Sequence, residues 1–526
     1  MRIGFTSLYS WRPHVEHLHY LAQLAQQAGH EARYLTCDAD LPTCYTKELR
    51  PERSAWMHCA RCRIGGVRSY ATDNVASIGE FAGDAPIAAP HAADWSRSST
   101  STLGRFESDA DFAGDEFASL AARLDAPTRK AHAAALRWIE RERLDAICLF
   151  NGRIDATRGV LEAARMAGIP FVSLERTWFG DGVQLLPEEN CLGLQSVNRL
   201  VAAWREVPLT REQALRSASH VAARFLRRNV KEWRAYNLAA RTTDWPAPAA
   251  QRRVLMLPGS RNEVWGHPDW HSPWPQPTAA YDALLDHLGL APAEAVLRCH
   301  PNWGERIGSQ DGSCSERYFT DWARSRGVHV IASCDATSTV GLIEQADAIV
   351  VNGGSAALEA GTLGKQVIAI APSIYQEAGF QTQAYTPGDL RSLVFHGSLD
   401  DTRRAAHAAR IARQTLRFCH TMVYRIPQFV PQVRCITTTR YEYRDGADPQ
   451  RFVDLLRSGV LHADDASVAT DTDAESEVLG LIAERDWEPL LDASPEAAQT
   501  PLHPLRRRWM FRPVDRLREA LPRGDL

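Results

Sequence analysis

Ala348-Ile349-Val350-Val351-Asn352-Gly353-Gly354-Ser355-Ala356-Ala357-Leu358-Glu359-Ala360, followed by Gly364-Lys365-Gln366-Val367-Ile368, reads as strand, glycine turn, helix and second strand. The apolar run before Asn352 has the length and composition of a buried strand. Gly353 and Gly354 let the backbone turn tightly, and Ser355 sits where a helix begins. Further apolar runs at Arg253–Leu257, Ala295–Arg298, Val328–Ala332 and Gln366–Ala371 alternate with helical patterns, which predicts a parallel sheet with crossover helices.

The first half of the chain repeats that alternation. Arg2–Ser7, Glu31–Leu35, Ala146–Phe150 and Ile169–Leu174 read as strands, and Val15–Ala28, Pro127–Arg143 and Arg158–Ala167 as helices. Asp73–Phe117, rich in Ala, Ser, Asp and Gly, reads as an irregular insertion, and Arg211–Ala240 as helical. Thr242–Ala250 carries two prolines and breaks all periodicity. The expected organisation is therefore a domain over residues 1–241, a linker over 242–252, a second domain over 253–445 and an extension over 446–526. At 526 residues the chain is too long for a single core.

Composition narrows the function. Hydrophobic residues at 44% and charged residues at 24% are ordinary for a globular chain. A formal net charge of -4 supplies no basic field for nucleic acid. Met1-Arg2-Ile3-Gly4-Phe5 lacks the pattern of a signal peptide, and the longest apolar runs fall far short of the roughly 20 residues that span a bilayer. A cytoplasmic location is expected.

In open parallel sheets ligands bind beyond the carboxyl ends of the strands. Pro258–Glu263, His300–Asn302, Ser333–Thr339, Asn352–Ser355 and Ser373–Glu377 occupy those positions. Gly259 and Gly354 permit close backbone approach, and Ser355 with the free amides of its helix can receive phosphate. Arg261 and His300 supply positive charge for a diphosphate, and Glu359, one turn beyond Ser355, can accept hydrogen bonds from ribose hydroxyls. Together these residues describe a nucleotide site. In the first half, Asn151 and Arg153 follow one strand and Glu175 another, so they open onto the same cleft. A transfer onto a hydroxyl needs a proton acceptor, and Glu175, Asp181, Glu16 and His14 are the candidates. An Arg153–Glu175 ion pair joining two loops is the competing reading.

Cys37, Cys44, Cys59 and Cys62 form C-x6-C-x14-C-x2-C. Four thiolates at that spacing suit structural zinc, with an iron–sulfur cluster or unligated thiols as the alternatives. Leu505–Leu517 mixes five arginines with Trp509, Met510 and Phe511, a composition suited to peripheral contact with the inner face of an anionic membrane. A solvated C-terminal helix is the competing reading.

Leu297-Arg298-Cys299-His300-Pro301, Ser338–Asp347, Val350–Ala360, Gly364–Ile368 and Tyr375 together resemble the capsule polysaccharide biosynthesis family that includes bacterial Kdo transferases. The resemblance implies a GT-B fold, with two Rossmann-like parallel-sheet domains facing each other across a cleft. It places the phosphate of a CMP-sugar on His300, Pro301 and Ser355. The family carries Ser-Thr at that helix start, where this chain has Gly354-Ser355-Ala356. Leu257-Pro258-Gly259-Ser260-Arg261-Asn262-Glu263 is similar to the donor loop of lipid A disaccharide synthase, which implies a UDP-sugar. The likeness spans about residues 253–380. The expectation is a glycosyltransferase that moves a sugar from a CMP- or UDP-linked donor to a glycan or glycolipid acceptor. The alternatives are a sugar-nucleotide epimerase or polyol-phosphate polymerase on the same scaffold, or a non-catalytic polysaccharide-binding or export partner.

Overall fold

A computed structural model describes residues 1–70, 73–81, 83, 92–232, 236, 238–247, 250–491 and 500–520. Its core is two six-stranded sheets. The first contains β1 (Arg2–Thr6), β2 (Glu31–Thr36), β3 (Val75–Ser77), β4 (Ala146–Phe150), β5 (Phe171–Arg176) and β6 (Val183–Pro187), in the order β3-β2-β1-β4-β5-β6. All its pairs are parallel except β5 with β6. The second contains β7 (Val254–Leu257), β8 (Ala295–Arg298), β9 (His329–Ile331), β10 (Ala348–Val351), β11 (Gln366–Ala369) and β12 (Gln381–Gln383), in the order β12-β11-β10-β7-β8-β9, parallel throughout. Every residue of β4, β7, β8, β10 and β11 is buried. Helices cover both faces of such a sheet, so its strands are continuous apolar runs rather than alternating ones.

In both sheets the strand order reverses beside the first strand, between β1 and β4 and between β7 and β10. This is the doubly wound Rossmann-like arrangement, and each reversal opens a crevice at the strands' carboxyl ends. The α/β reading with two parallel sheets is correct. Boundaries differ by a few residues, and β3, β6 and β12 lie outside the expected strands. The helix expected from Pro127 begins at Asp115 and runs to Glu142 with Pro127 inside it.

The expectation of an irregular segment over 73–117 is overturned where residues are described. Val75–Ser77 is the edge strand, and Ile78–Phe81, Ala92–Trp95, Arg97–Gly104 and Asp109–Ala113 are helical. Residues 71, 72, 82 and 84–91 lie outside the described residues. The Arg97–Gly104 helix is Ser- and Thr-rich yet buries Ser99, Thr100 and Ser101. Polar contacts with neighbouring segments hold it, and those leave no apolar period to read. The Arg211–Ala240 pattern is helical only as far as Phe225, and residues 233–235 and 237 are not described.

After the second sheet the chain returns to the first. The Asp401–His420 helix packs on both Arg211–Phe225 and Ala356–Thr362, and the Pro449–Ser458 helix packs on His14–Gln27. Phe452 lies 6.0 Å from Phe5 between ring centroids, and the Tyr443 hydroxyl lies 2.9 Å from His17 Nδ1. No helix among the described residues is long and apolar enough to cross a membrane.

The helices Asp115–Glu142 and Asp155–Ala167 touch along their backbones at Gly159. A Cβ there would lie 2.5 Å from Thr128 O and 3.0 Å from His132 N. Alanine is the better helix former by about 1 kcal/mol, but overpacking against backbone costs about 1–3 kcal/mol. Gly159→Ala is therefore expected to lower the urea midpoint. An unchanged or raised midpoint would show that the two helices part freely.

Candidate functional site

At the switch point of the second sheet, Asn352 ties the two loops together. Its side-chain oxygen accepts from the Gly259 N–H, and its Nδ2 donates to Gly259 O at 3.2 Å. Beyond it Gly353 takes φ +116°, in the region that favours glycine, and a Cβ there would meet the Trp270 ring at 3.3 Å. A Cβ on Gly354 would meet nothing within 4 Å. Ser355 is exposed at the start of the Ala356–Thr362 helix and its hydroxyl caps no backbone N–H. An exposed hydroxyl and a glycine with open space beside it thus stand at a helix N-terminus, a setting that suits an anion. Tyr375 is buried, and its hydroxyl donates to Gly354 O at 3.4 Å, so it supports this loop from behind.

His300 and Pro301 open the short 3-10 helix after β8. His300 Nδ1 accepts from the Asn302 N–H at 3.2 Å, and burial pushes the imidazole pKa down. The Ser260 hydroxyl accepts from Trp303 Nε1 at 2.7 Å.

Two predicted ligand contacts point elsewhere. Glu359 is paired with Arg224 Nη1 at 2.9 Å, and Arg224 also binds Glu232 at 2.8 Å. Arg224 and Glu359 are 7% and 13% exposed, so the carboxylate faces the Arg211–Phe225 helix. Burial pushes the Glu359 pKa up against that pairing. Arg261 pairs with Asp109 at 2.6 Å and lies over the Phe112 ring at 5.2 Å. Both residues are engaged by other parts of the chain.

Segment 97–112 is the agent of the second engagement. Fully buried Glu107 accepts from the Arg261 N–H at 3.0 and 3.1 Å and from the Ser315 hydroxyl at 2.7 Å. Ser101 donates to Asn262 O at 2.9 Å, Arg105 donates to Asn302 O at 2.9 Å and Glu305 O at 2.8 Å, and Phe112 stacks on Trp265 at 4.5 Å. On its other side the segment meets the first sheet. Arg153, just beyond β4, donates to Ser98 Oγ at 2.8 Å and to the Thr102 hydroxyl, which itself donates to Asn262 O at 3.2 Å. Arg153 is thus spoken for by the clamp rather than by Glu175. The carboxyl ends of both sheets meet at this one helix.

Glu175, on β5, faces His14 at the start of the first helix, with Glu175 Oε1 against His14 Nε2. Asn151 Nδ2 donates to Glu175 Oε2 at 3.0 Å. Burial alone would raise the Glu175 pKa, but the facing His14 and the hydrogen bonds from His14 and Asn151 outweigh it and hold the carboxyl at about 2. Asn151 adopts φ +65°, which its short amide tolerates, and its Oδ1 receives the N–H groups of Arg153 and Ile154. His14 Nδ1 is buried and has no hydrogen-bond partner among the described residues. Asp181 and Glu16 do not join this group. Asp181 bridges Lys231 at 3.3 Å and Arg434 at 3.1 Å and accepts from Cys435 N–H. Glu16 pairs with Arg12 at 2.9 Å and accepts from the Tyr70 hydroxyl.

Sequence reading missed one group in this crevice. Asp155, fully buried at the start of its helix, accepts from the Tyr9 hydroxyl at 2.6 Å and the Tyr45 N–H at 3.0 Å. Burial pushes its pKa up, against those hydrogen bonds, to about 6. An acidic residue in the first turn after β4 was the available signal, and an N-terminal helix charge accounts for it equally well.

Cys37, Cys44, Cys59 and Cys62 line one small cavity of about 30 Å³, together with Asp38 and His58. The expected zinc or iron–sulfur site is not formed there. Among the described residues no group of three or more His, Cys, Asp or Glu is placed to hold a metal ion. Burial pushes the Cys37, Cys44 and Cys62 thiols up, away from the thiolate form that binds metals. A separate cavity of about 720 Å³ is lined by residues that include Thr320, Arg324 and His329, and neither the phosphate loops nor the His14–Glu175 pair line it.

No protein-family model matches the chain, and no curated protein matches it. Several solved structures are similar to it. KpsC, a beta Kdo 2,4 transferase from Thermosulfurimonas dismutans, shares 16% identity over 60% of this chain and 87% of its own, with a TM-score of 0.34. UDP-GlcNAc 2-epimerase from Neisseria meningitidis, solved with UDP-GlcNAc, shares 11% over 79% of this chain and 94% of its own, with a TM-score of 0.27. The spinosyn rhamnosyltransferase SpnG, solved with spinosyn aglycone, shares 14% over 79% and 95%, with a TM-score of 0.25.

Burial raises the Glu107 pKa to about 7, against hydrogen bonds from Ser315 and Arg261 and the charge of Arg261, with Glu263 adding to the rise. The folded chain therefore holds a proton that the unfolded chain has released, and stability from this group falls as pH rises through the window from about 4.5 to about 7. Glu107→Gln removes that dependence. Relative to wild type, the variant should gain stability between pH 5 and pH 8, on the order of 3 kcal/mol at most. Parallel urea curves at both pH values check this, and a constant difference would mean Glu107 stays ionised throughout.

Proposed function

We propose that the chain is a glycosyltransferase that binds a nucleotide-sugar in the second sheet's crevice and an acceptor hydroxyl in the first. The observation that carries the reading is the pairing of two unlike sites on one seam. One is the helix N-terminus at Gly353-Gly354-Ser355 after β10, with His300 at the same edge of the sheet, two strands away after β8. The other is the His14–Glu175–Asn151 group. An anion site alone would suit any nucleotide binder, and a buried imidazole with an ionised partner adds a proton acceptor.

In this reading the donor is CMP- or UDP-linked. Its phosphate lies against the amides and hydroxyl at Ser355, with Gly259 leaving room for close approach. Ser260 and Pro301 shape the loops that carry this site. Glu359 and Arg261 hold those loops in place through Arg224 and Asp109. In a transfer by direct displacement, the acceptor oxygen attacks the anomeric carbon as its bond to the phosphate breaks. Negative charge then develops on the nucleotide and is stabilised by donors already aimed at it.

The acceptor proton goes to His14. With Nε2–H donating to Glu175, Nδ1 carries the lone pair, and it is the nitrogen that has no partner among the described residues. Glu175 already accepts hydrogen bonds from His14 and Asn151, so its carboxylate is committed to holding the imidazole. It fixes the tautomer and stabilises the imidazolium that forms. Of the four candidate proton acceptors, His14 takes the role in this reading, with Glu175 as the positioning residue. The acceptor is a glycan or glycolipid, and the setting is assembly of a surface polysaccharide.

Two sets of variants separate the halves. Ser355→Ala and His300→Ala should each weaken CMP or UDP binding by about 1.5–3 kcal/mol in calorimetry, as expected for a lost charge-assisted contact. Unchanged affinity in both would remove the donor assignment. His14→Ala should cut turnover by about 10²–10⁴-fold with donor affinity preserved. Glu175→Gln should lower turnover less and shift the pH–rate profile. Near-normal turnover in His14→Ala would transfer the role to Asp155.

A further inference from the structure

The Ala55–Gly65 helix has eleven residues, of which only His58 is buried. Trp56 is 71% exposed, Met57 44% and Ile64 39%. A helix in a water-soluble chain ordinarily turns such side chains inward. The C-terminal segment repeats the anomaly, with Trp509 at 77%, Met510 at 48%, Val514 at 42% and Leu517 at 63%. These are not scattered residues, because the two segments are bound to each other. The Arg507 guanidinium donates to Ile64 O, the Arg508 N–H donates to Ser69 O at 2.8 Å, and Arg507 lies 5.7 Å from the Tyr70 ring and 5.2 Å from the Phe511 ring.

Charge separates this face from the rest of the surface. The chain as a whole carries a formal -4, yet Leu505–Leu517 holds five arginines and one acid, Asp515. That acid is neutralised internally by Arg507 and by Arg12 at 3.0 Å. Arg506, Arg508, Arg512 and Arg516 are exposed, and none is in an ion pair among the described residues. Exposed tryptophans among apolar side chains, ringed by unpaired guanidinium groups, match the interface of an anionic bilayer, where indole rings sit at headgroup depth and arginines meet phosphate.

We propose that Ala55–Gly65 and Trp509–Leu517 form one composite docking face for an anionic phospholipid surface. Neither element suffices alone, since each offers only a few apolar side chains and partitioning scales with the apolar area inserted. The Ala55–Gly65 helix is the second helix after β2, and Gly65 packs against Ser10 in the loop after β1, at the carboxyl edge of the first sheet. Docking by this face therefore brings the His14 crevice close to the lipid. The inference stands on surface chemistry and does not require the transferase reading.

The full chain is sedimented with vesicles of phosphatidylcholine alone and with vesicles containing phosphatidylglycerol, at low and high salt. Binding is expected only with phosphatidylglycerol, weakened severalfold or more by salt. The double variants Trp56→Ser/Met57→Ser and Trp509→Ser/Leu517→Ser should each reduce binding about tenfold, as should Arg508→Glu/Arg512→Glu. Their thermal midpoints should match wild type, since all six side chains are exposed. Equal binding to both vesicle types, or none, overturns the proposal without any variant. Full binding by the Trp56/Met57 variant would overturn the composite face. Self-association lost in the same variants, read by sedimentation velocity without lipid, would make the face a protein–protein surface instead.

Discussion

Glu107 is a carboxyl group enclosed by protein, taking both halves of a forked hydrogen bond from the Arg261 N–H and a third from Ser315. It belongs to a segment inserted between β3 and β4, yet its partners belong to the second sheet. Around it Ser101, Arg105 and Phe112 meet the loops after β7 and β8, and Arg153 pins the segment to the end of β4. Of the loops assigned to the donor crevice, those after β7 and β8 are held by this polar clamp. Breaking a clamp of this kind leaves buried polar atoms without partners, which costs more than the net worth of each bond. The relative setting of the two crevices therefore rests on hydrogen bonds rather than on apolar contact alone.

The same consideration explains what could be read in the sequence. Buried parallel strands are runs of apolar residues, so β4, β7, β8 and β10 announce themselves, and the crevice rule then points to His300, Ser355 and Glu175. The clamp helix announces nothing. Arg-Ser-Ser-Thr-Ser-Thr-Leu-Gly at 97–104 has poor helix propensity and no apolar stripe. It is helical because Asn262 O, Arg153 and Asp155 N–H lie where its hydroxyls can reach them. Partners that distant in the chain leave no local pattern.

Glu359 shows the limit on the helical-face argument. It does lie one turn beyond Ser355, but a helix has several faces, and the one Glu359 occupies is turned toward Arg224, 135 residues earlier. His14 and Glu175 show the opposite case. Each was identified separately as a proton acceptor, and only the fold reveals that they are one unit, with the pKa of the carboxylate set by the imidazole across from it. The four cysteines share a cavity as their spacing suggests, but spacing does not fix whether the sulfurs converge on a metal.

The return of the chain to its first sheet has a consequence for biosynthesis. His17 and its partner Tyr443 are 426 residues apart, and Phe5 waits for Phe452. On the ribosome this β–α–β unit emerges well before the helix that covers its outer surface, which follows more than 400 residues later. For most of elongation, Phe5, Tyr20 and the apolar side of the His14–Gln27 helix remain uncovered. Nascent chains in that state are natural clients for holdase chaperones, and an early stop codon anywhere before Pro449 yields a product with a sticky, unfinished first half rather than a free-standing domain.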